Sequence, residues 1–214
     1  MNVILLGLPG AGKGTQAKSI TDHLHVPHIS TGDLFRKALK DQTELGLLAK
    51  EYMSKGELVP DAVTIGLALQ RLNHTDSDRG FLLDGFPRNV VQADALEQYL
   101  KSQARHVDHV IYVEVDESIL LDRLTGRRVC SGCGASFHMI HNPSAVIDRC
   151  DSCNGMLIHR EDDQEATVKE RLRINKELTD SLTEYYTVKA LLRTIDGSQD
   201  ISVVSKEILD LLTN

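Results

Sequence analysis

The chain has 214 residues, a formal net charge of −7, 41% hydrophobic and 26% charged residues, and no tryptophan. That length suits one full core carrying small insertions, and the balance is that of an ordinary globular protein. The acidic balance argues against broad nucleic-acid binding. No apolar stretch approaches the roughly 20 residues of a membrane span, and Met1-Asn2 lacks the basic start of a signal peptide, so a cytoplasmic location is expected.

In chain order, residues 3–6 form an apolar run that reads as a buried strand. Gly7-Leu8-Pro9-Gly10-Ala11-Gly12-Lys13-Gly14-Thr15 follows, and residues 16–25 read as a helix. Strand, glycine-rich loop and helix in that order make a phosphate cradle, because backbone N–H groups converge on an anion without Cβ clashes. The helix N-terminus adds positive potential at the same point, and Lys13 reaches the outer phosphates as a point charge. The strict pattern places Ser or Thr directly after the lysine, whereas here Gly14 stands there and Thr15 comes one later.

Residues 27–29 are a weaker strand candidate, and 30–59 read as helices inserted as a flap. Pro60-Asp61 fits a cap before a helix at 62–72. Residues 81–83 form an apolar strand ending in Asp84, a carboxylate that either orients Mg²⁺ or caps a turn; the phosphate cradle favours the metal role. Gly85-Phe86-Pro87-Arg88 puts an arginine just beyond that strand. Residues 110–115 read as a strand, Asp116 caps a helix at 118–124, residues 164–192 are one long helix or two, and 192–195 is a weaker strand. Alternating strands and helices predict an α/β fold, a doubly wound parallel sheet of the P-loop NTPase type, with ligands at the carboxyl ends of the strands.

Residues 130–163 break the alternation and contain all four cysteines of the chain: Cys130, Cys133, Cys150 and Cys153. Two C-x-x-C pairs separated by sixteen residues fall within the window of a zinc ribbon. Four thiolates suit tetrahedral zinc and leave no position for water, so the metal is expected to be structural. Two disulfides or four free thiols are the alternative, which a cytosolic chain disfavours. His138 and His141 lie close enough to replace a cysteine as ligand, but the preferred reading leaves them in solvent. His23, His25 and His28 are expected to pack or face solvent.

Arginines stand wherever a phosphate needs enclosing: Arg36, Arg88, Arg123, Arg127, Arg160 and Arg171. Each offers a planar fork that keeps its charge. Arg123 and Arg127, four apart, are expected on one helical face leading into the cysteine segment. Arg160 and Arg171 close it at the other end, as in a lid that brings positive charge onto phosphates. Asp162 and Asp163 are either acids at a helix N-terminus or partners of the lid arginines when no nucleotide is bound.

Together these residues resemble the adenylate kinases, in their bacterial form with a long lid. The resemblance runs from Val3 to about Gly197. It rests on the loop from Gly7 to Thr15, Ser30-Thr31-Gly32-Asp33, Gly56-Glu57-Leu58-Val59, Asp84-Gly85-Phe86-Pro87-Arg88 with Gln92, and Arg160-Glu161-Asp162-Asp163. It implies a core of residues 1–29, 60–126 and 164–214, a helical NMP-binding domain at 30–59 and a zinc-bearing lid at 127–163. It implies ATP on Gly10, Ala11, Gly12, Lys13, Gly14 and Thr15, with Arg123, Arg127, Ser136, Phe137 and Gln199 on the same nucleotide. AMP is implied on Thr31, Arg36, Glu57, Leu58, Val59, Gly85, Phe86, Pro87, Arg88 and Gln92, with Arg160 and Arg171 bridging toward the transferring phosphate. Asp84 is implied to orient Mg²⁺, and Cys130, Cys133, Cys150 and Cys153 to hold structural Zn²⁺. Asn89 stands where the family commonly has Thr, and Phe137 where Tyr or Phe occurs; neither touches the charged constellation.

The reaction so implied is reversible phosphoryl transfer, MgATP plus AMP giving two ADP, with charge stabilisation by Lys13, Arg88, Arg123, Arg127, Arg160 and Arg171. A monomer in the cytoplasm whose partners are ATP, AMP and ADP, without nucleic acid or membrane, is carried with it. The competing readings are a kinase for UMP, CMP or GMP and, in a different class, a zinc-ribbon P-loop ATPase that binds nucleic acid.

Overall fold

The structure is a computed structural model, and it describes residues 1–213. Five strands form one sheet: β1 (Asn2–Leu6), β2 (His28–Ser30), β3 (Phe81–Asp84), β4 (His109–Glu114) and β8 (Leu192–Asp196). Their order is β2-β3-β1-β4-β8, and every pairing is parallel. Sequential strands that are parallel must return through crossovers, and helices supply them. β1 is buried along its whole length because both faces of the sheet are covered. Its alternation feeds two cores: Val3 and Leu5 join one cluster, Ile4 and Leu6 the other.

The first core receives Ala17 and Ile20 from helix α1 (Lys13–Leu24), Leu120 and Leu124 from α6 (Glu117–Thr125), and Val204, Ile208 and Leu212 from α8 (Ile201–Thr213). The second receives Ala68 and Leu72 from α4 (Asp61–Leu72) and Ala93, Leu96 and Leu100 from α5 (Val90–Ser102). Helix α7 is a single element, Glu165–Val188; it gives Val168 and Leu172 to one core and Leu182 and Tyr186 to the other. The sequence reading contains neither α5 nor α8. Asp116 caps α6 as expected, accepting from the N–H of Ser118, whereas Pro60 and not Asp61 occupies the cap position of α4.

Two units stand outside this frame. Helices α2 (Thr31–Lys40) and α3 (Glu44–Met53) pack against each other around Phe35, Ala49 and Val59. Strands β5 (Arg127–Cys130), β6 (Ser136–His138) and β7 (Leu157–Ile158) form a separate antiparallel sheet in the order β6-β5-β7. Its small core is Cys130, Cys150 and Leu157. A core so small needs a staple, and the cysteines are in position to supply one. No helix among the described residues is long and apolar enough to cross a membrane.

Candidate active site

β1 ends at Leu6 and α1 begins at Lys13, so the glycine-rich loop lies at the carboxyl edge of the central strand. Gly12 caps α1 with φ +94°, and a Cβ there would meet nothing within 4 Å. The backbone dihedral, not crowding, therefore demands glycine. Gly14 and Thr15 in the first turn of α1 are exposed. Lys13 Nζ folds back to donate to the carbonyls of Gly7 (2.8 Å) and Leu8 (3.1 Å). Burial pushes its pKa down to about 8, against the pull of Asp84 and with a push from Arg88, Arg127 and Arg171. Three arginines are thus near enough to be felt at one ammonium.

Asp84 ends β3 directly beside this loop, in register with Leu5 of β1 and Ser30 of β2. Burial alone would raise its carboxyl. The hydrogen bond from His28 and the charge of Lys13 outweigh that, and the group is held below the usual carboxylate range. His28 Nε2 lies 3.4 Å from Asp84 Oδ2, and despite burial its pKa is raised by that carboxylate. His28 thus packs at the site edge, a partner of Asp84 that sequence reasoning did not assign. An ionised carboxylate beside a phosphate cradle is the donor type Mg²⁺ prefers.

A cleft opens between the α2–α3 unit and a wall made by the loop after β3, α5 and α7, lined among others by Thr31, Arg36, Glu57, Leu58, Val59, Arg88, Gln92, Arg171 and Asn175. Thr31 Oγ1 donates to the carbonyl of Gly85 at 2.8 Å, and Arg88 Nε donates to the same oxygen at 2.9 Å. Gly85 therefore fixes two cleft side chains through one backbone oxygen, while Phe86 and Pro87 are buried below. Burial lowers the Arg88 guanidinium to about 10, helped by Arg171 and Arg36. Gln92 Oε1 accepts from the N–H of Arg88 (2.8 Å), and its Nε2 donates to Asp61 Oδ1 (2.7 Å). Asn89 caps α5 through the N–H of Gln92 and also donates to Asp61 Oδ1 at 2.9 Å. Asp61 thus orients the cleft wall, a role the sequence reading replaced with helix capping. Arg36 is paired with Asp33 (2.6 Å).

The remaining arginines approach from the β5–β7 side. Arg127 Nε donates to Asp163 Oδ2 at 2.8 Å and Nη2 to Oδ1 at 2.5 Å; Arg171 Nη1 reaches the same Oδ1 at 3.0 Å and the carbonyl of Asp162 at 2.5 Å. Asp163 is wholly buried. Of the two readings of the acids, pairing with arginine is the one the structure adopts. Arg160 makes no side-chain hydrogen bond or ion pair among the described residues, and burial lowers its pKa to about 10, with Arg36 and Arg127 nearby adding to it. Arg123 Nη1 donates to the carbonyl of Gly197 at 3.0 Å. One expectation fails here: α6 ends at Thr125 and Arg127 opens β5, so Arg123 and Arg127 do not share a helical face. Ser136 and Phe137 sit on β6, and Gln199 is exposed in the loop after β8.

The four cysteine sulfurs lie within 4.8 Å of one another. Cys130 and Cys153 are 3.4 Å apart and Cys133 and Cys150 3.5 Å, far beyond a disulfide and near the edge of about 3.8 Å that a tetrahedron of Zn–S bonds requires. The N–H groups of Gly132 (3.4 Å) and Cys133 (3.5 Å) point at Cys130 Sγ. These bonds, that of Cys133 foremost, lower the thiol to about 6. The set fits a structural zinc ion held by four thiolates. His138 and His141 are not part of it. His138 is buried, not solvent-exposed as expected, and its bonds lead back to α6.

The family model described as adenylate kinase matches residues 5–191. The chain is 54% identical over 212 residues to the adenylate kinase of Bacillus licheniformis, covering 99% of this chain and 98% of that one. It is equally similar to the adenylate kinase of Geobacillus sp. strain WCH70, at 54% with the same coverage, and 51% identical to that of Bacillus subtilis strain 168.

Proposed function

The chain belongs to the adenylate kinase family, and from that premise we propose that it transfers the terminal phosphoryl group of MgATP to AMP, reversibly, giving two ADP. The observation that carries this reading is that Arg88 and Arg171, which line the cleft with Thr31 and Gln92, lie close enough, with Arg127, for their charges to act on Lys13 in the glycine-rich loop. ATP lies on Gly10, Ala11, Gly12, Lys13, Gly14 and Thr15, with its base toward Gln199 and Arg123; AMP lies in the cleft on Thr31, Arg36, Glu57, Leu58, Val59 and Gln92. Loose phosphoryl transfer spreads charge over the equatorial oxygens, so cations and positioning do most of the catalysis. The acceptor phosphate is itself the nucleophile, so no general base is required. Mg²⁺ would supply charge neutralisation on the phosphates, and Asp84, held ionised, is the residue to orient it.

On this reading residues 30–59 are the acceptor domain and 127–163 the lid, whose closure excludes water as an acceptor. The ion pairs of Arg127 and Arg171 with Asp163 must then yield to phosphate oxygens. Cys130, Cys133, Cys150 and Cys153 would hold zinc, which would keep the lid rigid and take no part in the chemistry. A monomer in the cytoplasm completes the proposal.

The test is ADP formation from MgATP with AMP, UMP, CMP and GMP in parallel, beside Arg88→Ala. AMP-selective turnover, reduced about 10²- to 10³-fold in the variant, is expected. Preference for another monophosphate would move the assignment within the kinase class. No transfer to any of them by the folded, zinc-loaded protein would overturn it and favour the nucleic-acid-binding alternative.

A further inference from the structure

His138 is 8% exposed and joins two structural units. Its Nδ1 accepts from the backbone N–H groups of Ile140 and His141, both at 3.1 Å. Two donors aimed at Nδ1 leave the ring proton on Nε2, which lies 3.2 Å from the carbonyl oxygen of Asp122 in the last turn of α6. That oxygen already accepts the helical bond from Gly126 N–H (2.9 Å) and so uses its second lone pair for the imidazole. Met139 N–H donates to the carbonyl of Gly126 at 3.0 Å. A Cβ on Gly126 would stand 2.2 Å from His138 Nε2, so glycine is required for the ring to approach. A third link, His141 Nε2 to the Asp122 carboxylate at 3.0 Å, is about 60% exposed on both sides and contributes little. Asp122, His138 and His141 lie close enough to share a metal ion, but here both nitrogens of His138 are engaged by backbone groups.

The residues so joined flank two arginines. Arg123 follows Asp122 directly, and Arg127 is the cross-strand partner of His138. Resting on the kinase reading above, we infer that His138 is a positioning residue for the donor nucleotide: its Nε2–H bond to Asp122 ties β6 to the last turn of α6, which Leu124 anchors in the central core, and so fixes Arg127 relative to Arg123.

The two ring nitrogens can be tested apart. Asn at this position reaches only where Nδ1 was and keeps the acceptor for the turn; Gln reaches toward the Nε2 position and keeps the donor to Asp122. The measurement is KM for MgATP, KM for AMP, kcat, melting temperature and zinc content for the wild type, His138→Asn, His138→Gln and His138→Ala. His138→Asn is expected to retain zinc and melting while raising KM for MgATP about tenfold with KM for AMP unchanged, since a small misplacement of oriented groups is costly. His138→Gln is expected to recover most of the MgATP affinity. Wild-type constants in His138→Asn, or equal losses for MgATP and AMP, would overturn the inference. An absence of kinase activity in the wild type would instead overturn the reading on which it rests.

Discussion

Lys13 shows how one side chain records a site made for anions. Its ammonium is crowded by burial and by three arginines, and its pKa falls to about 8 from 10.5. The unfolded chain therefore binds the extra proton between those two values. The residue costs stability below about pH 8, and the cost is relieved as pH rises toward 10.5. A lysine-selective ¹³C titration of the nucleotide-free protein is expected to show one ammonium titrating near pH 8 and missing from Lys13→Met. Addition of MgATP to the wild type is expected to move that titration upward, because phosphate charge favours the ammonium. A single lysine population titrating near 10.5 would contradict this account. Asp61 makes a related point on the acceptor side: one carboxylate oxygen receives both Asn89 and Gln92, so the asparagine that departs from the common family residue has a structural partner here.

The elements divide into those whose signal is local and those whose signal is not. The glycine-rich loop and the two cysteine pairs were legible because spacing alone carries their chemistry. Helix α5 was missed because Asn89 was read only as a departure from the common family residue and not as the cap it is. Helix α8 opens with a β-branched stretch, Ile201-Ser202-Val203-Val204, that resembles a strand; its buried Val204, Ile208 and Leu212 recur every four residues, which is a helical interval. Arg127 was assigned to a helix because four-residue spacing fits one, and its cross-strand pairing with His138, together with the bond to Asp163 36 residues away, fixes it elsewhere. The β5–β7 sheet has so small a core that a metal held by the four cysteines would dominate its stability. Cys153→Ser is expected to lower the melting temperature by about 5–10 °C while turnover at 25 °C stays within about threefold. An equal loss of turnover with unchanged melting would contradict a purely structural metal.

For the whole molecule, the buried carboxylate of Asp163 is a counter-ion shared by Arg127 and Arg171, with Asp162 also paired to Arg171. Removing one partner of such a pair leaves charge uncompensated, at a cost of about 3–5 kcal/mol. Asp163→Asn is therefore expected to depress melting strongly in the nucleotide-free protein and much less with saturating MgATP and AMP, whose phosphates replace the lost charge. Equal depression in both conditions, measured by calorimetry, would show that phosphates do not take over those arginines.

The order β2-β3-β1-β4-β8 has an outcome for descent. On the proposed reading β2 and β3 carry the acceptor side, β4 and β8 lead to the donor base, and β1 with its loop is the shared border. Each flank reaches the border through its own backbone bonds, β3 along one edge of β1 and β4 along the other. A lineage is then free to rewrite the residues that judge the incoming monophosphate while inheriting the triphosphate machinery intact. New acceptor preferences in such a fold should accumulate on the β2–β3 side of the border first.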